Sequence, residues 1–255
     1  MRHFLTILSH EIRALLLNPG TYVAAVLFLG VMGFVFAALL DDYSRAPHEV
    51  LPAVAFFRLF WIPVFFMVPL LTMKSLAEER RLGTLETLLT TPVTTTEVVL
   101  GKFGAAYVLY LLLWGSTAGF HYVLHHYARD ARFLEAGPLV GGYVFIALSG
   151  LLFVAIGILA SALTRSQAVA GILSFAVLFG LIIGLRFLGD AALLQQDTFS
   201  PVKSAVESLQ IFGHLEDFTN GVIDTRQVFF YLTGAILALI FSILGVEAKL
   251  LQGDR

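Results

Sequence analysis

Three groups of side chains in this sequence could do chemistry, and each borders a long apolar run. The first is Glu78-Glu79-Arg80-Arg81, followed by Leu82-Gly83-Thr84-Leu85-Glu86-Thr87-Leu88-Leu89-Thr90-Thr91-Pro92-Val93. Paired carboxylates can do acid–base work. With His121 they would compose an intramembrane glutamate/histidine protease of the Glu-Glu-x-x-x-Arg type, but the position that needs Arg holds Gly83. The second group is His121, His125 and His126. His121 and His125 lie one helical turn apart, a spacing that suits zinc or copper. No fixed third ligand accompanies them, and with Tyr122 and Tyr127 beside them the better reading is a membrane-interface cluster and no metal. The third group is Arg58 and Arg186, each near one end of an apolar run. A guanidinium at membrane depth marks a transport pathway unless it snorkels to the interface, so both are pathway candidates.

Phosphate-loop chemistry is missing. No stretch matches G-x-x-x-x-G-K-[ST], and Gly101-Lys102 runs into Phe103. His10-Glu11 lacks the second His of a zincin helix. Without Cys there is no thiolate ligand, thiol nucleophile or disulfide framework. The chain is therefore expected to be no enzyme and to bind no cofactor. If ATP is involved, another chain brings it.

The elements that must position these groups are helices in a membrane. The 255 residues are 58% hydrophobic and 13% charged, about half the charge of a soluble domain. The 23 Phe and 22 Gly suit a tightly packed helical bundle. A net charge of −2 excludes a nucleic-acid partner. Residues 2–17 predict an amphipathic helix in the interface plane, with Phe4, Ile7, Leu8, Ile12, Leu15 and Leu16 on one face, ended by Asn18-Pro19-Gly20. Apolar runs then predict six spans at about 21–40, 56–76, 103–124, 139–163, 167–188 and 228–246. Pro63 and Pro69 predict a bend in the second. Asp41 to Glu49 reads as a polar loop, and Val202, Val206, Leu209 and Ile211-Phe212 suggest one short helix before the last span. Asp224-Thr225 is a candidate N-cap for that span. Gly115-x3-Gly119 and Gly180-x3-Gly184 place small residues where helices could pack closely, within or between protomers. The chain reads as one transmembrane domain, residues 1–255, with no repeat.

Six spans put both termini on one side. Nine of the 16 Lys and Arg, but only seven of the 18 Asp and Glu, then share the terminal side, which favours cytoplasmic termini. On that side lies the longest polar interruption, residues 78–102. Leu82, Leu85, Leu88 and Leu89 make an apolar stripe, so Glu78 to Thr90 reads as one amphipathic helix stopped by Thr91-Pro92. Thr94 with Glu97 is a capping box that starts the next helix. Such a helix suits docking into a partner's groove.

At these residues the chain resembles the permease subunits of ABC-2-type transporters. Glu78-Glu79-Arg80-Arg81-Leu82-Gly83-Thr84-Leu85-Glu86, Leu88-Leu89-Thr90-Thr91-Pro92-Val93 and then Gly101-Lys102 are similar to that family's shared segment. The N-terminal helix with Glu11 and Arg13 before Asn18-Pro19 resembles its interfacial helix. Leu215-Glu216-Asp217-Phe218 and Gly221-Val222-Ile223-Asp224-Thr225-Arg226 are similar to the permease of the gliding-motility ABC transporter. The resemblance implies an all-α, six-span permease of an exporter in the inner membrane, paired with a second permease copy or a related one. It implies a dimer of separate ATPase subunits carrying ATP and Mg, with residues 78–94 as the coupling helix that docks on them. It also implies a possible companion membrane protein with a large extracytoplasmic domain. The competing readings are the intramembrane protease and a secondary transporter. Against the latter, no Gly/Pro-broken spans occur in matching halves. The substrate is not specified, though nearly charge-free spans suit hydrophobic, lipid-linked or polymeric cargo.

Overall fold

The computed structural model describes residues 2–45, 50–84, 93–127, 135–189 and 200–251. Among them all regular structure is helical, and six helical stretches are long and apolar enough to cross a membrane. The all-α, six-span expectation holds.

The N-terminal helix α1 (Arg2–Leu17) ends where expected, with the Asn18 side chain accepting from the Gly20 amide at 2.9 Å. The first span, α2 (Pro19–Arg45), overruns its expected end. The sequence predicted a loop from Asp41, but the helix continues because Arg45 bonds back to Asp41 at 2.7 Å across one turn. The second span is divided into α3 (Pro52–Arg58), α4 (Trp61–Thr72) and α5 (Ala77–Leu82). Pro63 and Pro69 both lie in α4, which is bounded by breaks rather than gently bent; prolines lack the amides that would continue the ladder. The third span comprises α6 (Thr95–Ser116) and α7 (Ala118–Tyr127), jointed at Thr117, whose hydroxyl bonds the Trp114 carbonyl at 2.6 Å. The capping box is formed: the Thr94 hydroxyl accepts from the Glu97 amide, and the Glu97 carboxylate accepts from the Thr94 amide, both at 3.2 Å.

Helix α8 (Ala136–Leu163) is the centre of the bundle. Of its apolar window 72% is buried, against 22% in α2 and 28% in the last span, whose exposed faces are left for lipid. The fifth span is α9 (Gln167–Phe179), a π turn at Gly180–Gly184, and α10 (Leu185–Gly189). Two short helices follow where one was expected, α11 (Ser200–Glu207) and α12 (Ile211–Thr219). The last span is α13 (Thr225–Leu251), capped by Asp224, whose carboxylate accepts from the Arg226 amide at 2.8 Å as expected.

Aromatic rings fill the middle of the bundle. Phe28 meets Trp114 edge-on at 5.2 Å, and Phe60 meets Phe145 at 5.2 Å. Among the described residues the expected Gly pairs make no close contacts: a Cβ at Gly115, Gly119 or Gly180 would meet nothing within 4 Å. Gly180 and Gly184 bound the π turn instead. Close approach occurs at α8, where a Cβ on Gly141 would overlap the Phe218 carbonyl and one on Gly157 would overlap Thr72. The two expected pairs were chosen by their mutual spacing, whereas contact depends on which face of the central helix a Gly occupies.

Candidate functional site

Of the signature residues, Glu11, Glu78 to Gly83 and Lys102 lie at the terminal end of the bundle, around α5. The break between α4 and α5 frees backbone groups, and a single side chain of α8 takes them up. The Ser161 hydroxyl accepts from the amides of Leu76 and Ala77, both at 3.0 Å, and faces the Met73 carbonyl at 3.3 Å. Ser161 is fully buried, so the kink has a fixed anchor. One turn later Arg80 donates to the Ala162 carbonyl at 2.5 Å, next to the C-terminus of α8 where a cation is favoured. Helix α5 then stops at Gly83, which adopts a φ of +70°. The continuous helix expected from Glu78 to Thr90 is therefore interrupted after Leu82. The periodicity of the leucines concealed this, because Gly83 enters the left-handed region at no steric cost and acts as a stop.

The interior face of α5 carries Glu79 into a buried ionic cluster. The Lys102 ammonium on α6, with its side chain only 3% exposed, donates to Glu79 at 2.6 Å and to Glu11 of α1 at 2.7 Å. Three elements far apart in sequence are thus held on one cation. Two carboxylates against one ammonium leave a net charge of −1, and the second Glu79 oxygen is buried with no partner among the described residues. Buried charges are costly to desolvate, so removal of Lys102 would leave both carboxylates without their shared cation. Around the cluster Ile7, Leu76, Val93, Val98, Val99 and Val246 pack together.

The charged head is consequently split. Glu79 and Arg80 bond inward, while exposed Arg81 lies 3.8 Å from a half-buried Glu78 and Leu82 is 62% exposed. Arg13 is exposed, unlike Glu11 on the same helix. Leu85, Glu86, Leu88, Leu89, Thr90, Thr91 and Pro92 lie outside the described residues. Sequence reading named Glu11 and Lys102 without linking them. The available signal was a Lys at the start of an apolar span, since a cation there needs a counter-ion.

At the opposite end of the bundle, Arg58 pairs with Glu216 of α12 at 2.9 Å, and the Arg186 guanidinium lies 4.8 Å from the centre of the Phe212 ring. His121 does not join His125 and His126. It is buried, stacked on Phe57 at 5.7 Å and edge-on to Phe56 at 4.8 Å, whereas His125 and His126 are exposed. Among the described residues no group of three His, Asp or Glu is placed to hold a metal ion. His121 also stands 19 positions beyond Lys102, about 28 Å along a helix, so it cannot reach Glu79 for protease chemistry.

His214 pins this end together. Its Nε2 must donate to the Ser208 carbonyl at 3.0 Å, so Nδ1 accepts from the Tyr231 hydroxyl at 2.9 Å. Burial holds its pKa below the ordinary value, against the opposing pull of the Ser208 carbonyl, Asp217 and Asp224. The folded chain thus takes up the proton less readily than the unfolded chain. Stability is full above the model-peptide value of 6.5 and is lost as the pH falls towards the lowered folded value. Thermal unfolding of the detergent-solubilised chain is expected to shift downwards between pH 7 and pH 5, and His214→Gln to flatten that dependence.

Among curated proteins no relative matches. A family model described as ABC-2 family transporter protein matches residues 5–248, nearly the whole chain. With six apolar helices and a signature cluster built across three of its elements, this chain belongs to the ABC-2 transporter family, as a multi-pass membrane permease.

Proposed function

We propose that this permease is driven by a separate ABC ATPase that docks on residues 78–94. The observation that carries the reading is the division of α5. Its inner face is tied to α1, α6 and α8 through Glu79–Lys102–Glu11 and Arg80–Ala162, while Arg81 and Leu82 are left outward. A push on such a helix moves the bundle and is not absorbed locally. Leu85, Leu88 and Leu89 supply the apolar stripe for the ATPase, and Thr90-Thr91-Pro92-Val93 the corner of the docking segment; ATP and Mg belong to the partner. ATP binding closes the ATPase dimer and shifts two permease copies, identical or related, between inward- and outward-facing states; hydrolysis resets them. The termini are cytoplasmic, as the Lys and Arg distribution favours, and the family resemblance implies the inner membrane. The C-terminal resemblance to the gliding-motility permease supports a companion with a large extracytoplasmic domain, and the assembly exports cargo or transmits force.

Affinity-tagged chain, recovered from its native membranes, is expected to bring down an ABC ATPase. Changing Leu85, Leu88 and Leu89 together to Ser should abolish that association and any ATP-coupled activity while the chain stays folded. If association and coupling both persist in the triple variant, the docking role is wrong.

A further inference from the structure

The end of the bundle away from the termini holds a cavity of about 480 Å³ that the coupling cycle does not explain. Arg58, Arg186, Gln210 and Glu216 supply its polar wall, and Trp61 and Phe212 its apolar wall. Among the described residues two guanidinia face one carboxylate, a net positive lining. Glu216 neutralises Arg58 at 2.9 Å, but no carboxylate pairs with Arg186 among the described residues, where its guanidinium lies over the Phe212 ring. Two structural devices bring these groups together. The π turn at Gly180–Gly184 adds about one residue to its helix and turns everything after it by roughly 100°, which sets the position of Arg186. Gln210 is seated against Gly189, where a Cβ would overlap its side-chain amide, so α12 is held close to α10. Arg58 comes from the other side, at the last position of α3 just before the break that precedes Trp61.

We propose that this cavity is a binding site for the phosphate group of an anionic amphiphile taken from the leaflet on that side of the membrane. Planar guanidinium forks match phosphate oxygens in pairs and are weakly hydrated, so they suit a half-buried phosphate better than an ammonium does. A volume of this size accommodates a headgroup, and Trp61 and Phe212 offer apolar surface on which its chains leave towards lipid. Arg58 exchanges Glu216 for the phosphate, so Glu216 competes with the ligand for Arg58. The inference does not depend on the ATPase, because it concerns the chain alone.

Trp61 makes the site measurable, since the chain has two Trp and the other, Trp114, is buried in the core. Full-length Trp114→Phe protein is placed in vesicles that contain brominated phosphatidylglycerol, brominated phosphatidylcholine or brominated diacylglycerol at equal bromine content. Should that variant not fold, the same reading is taken as the difference between the parent chain and Trp61→Phe. Phosphatidylglycerol is expected to quench Trp61 most strongly and diacylglycerol least. Arg58→Gln with Arg186→Gln should weaken the phosphatidylglycerol half-saturation about tenfold or more, the scale of losing charge-assisted bonds. Glu216→Gln should tighten it roughly threefold by releasing Arg58, a gain that misfolding cannot mimic. Inorganic phosphate that displaces the lipid at millimolar concentration, or that binds where phosphatidylglycerol does not, would assign the same phosphate site to a soluble ion. Equal quenching by all three lipids, unchanged in the Arg and Glu variants, would overturn the proposal.

Discussion

Lys102→Met is expected to lower the stability of the chain by about 3–5 kcal/mol, the scale on which removing one partner of a buried ion pair acts. The ammonium is almost fully buried and is bonded to two carboxylates on two other elements, so its loss strands Glu11 and Glu79 beside each other without a counter-ion. The substituted chain has three routes: protonate a carboxylate, admit water, or separate α1 and α5 from α6. Each weakens the terminal end of the bundle. Neutralising both acids in the same chain, with Glu11→Gln and Glu79→Gln, removes the repulsion and is expected to restore most of the loss. The triple variant should still be poorly coupled to ATP, because the three elements no longer share a charged centre. Thermal unfolding in detergent measures the first effect, and ATP-dependent transport or ATPase stimulation measures the second. Equal stability of Lys102→Met and the parent chain would show that the cluster is not a structural tie.

Gly141→Ala is expected to be nearly as damaging, although it adds one methyl group. In an ordinary helix that substitution stabilises by roughly 0.5–1 kcal/mol, because Gly loses more backbone freedom on folding. At Gly141 the new Cβ would overlap the carbonyl of Phe218, a backbone atom that cannot rotate away. Helix α12 must move off α8, and with it go the Phe145–Phe218 ring contact and the seat of Arg58 on Glu216. Overpacking of this kind costs about 1–3 kcal/mol or more. Gly30→Ala on α2 is the control, since a Cβ there meets nothing within 4 Å. The two substitutions should move the unfolding temperature in opposite directions.

How far the sequence foretold this arrangement depended on the range of the interactions involved. Span number, the end of α1, the Thr94–Glu97 capping box and the Asp224 cap are local, and each is written in residues a few positions apart. The joint at Thr117 is satisfied locally by its own hydroxyl on the Trp114 carbonyl, whereas the break after Thr72 is satisfied from far along the chain, by Ser161 of α8. The apolar stripe of leucines suggested one helix through Gly83, and a single residue in the left-handed region was enough to interrupt it. The cluster at Lys102 joins positions 11, 79 and 102, and no periodicity reports such a contact. What the sequence offered was a charge without an evident partner at the edge of an apolar run. Arg58 and Arg186 carried the same sign, and they too converge on one cavity from opposite ends of the chain.

The proposed ATPase engages the segment around α5, at the end of the bundle that holds the termini. The chain has no Cys, so Leu82→Cys, Thr84→Cys and, at the far end, Glu135→Cys each introduce a unique thiol. A thiol-to-amine cross-linker applied to native membranes is expected to join the Leu82→Cys and Thr84→Cys chains to an ABC ATPase, with a yield that changes when ATP is added. The Glu135→Cys chain should give no such product. Cross-linking that is absent at Leu82 and Thr84, or equal at both ends, would contradict the account.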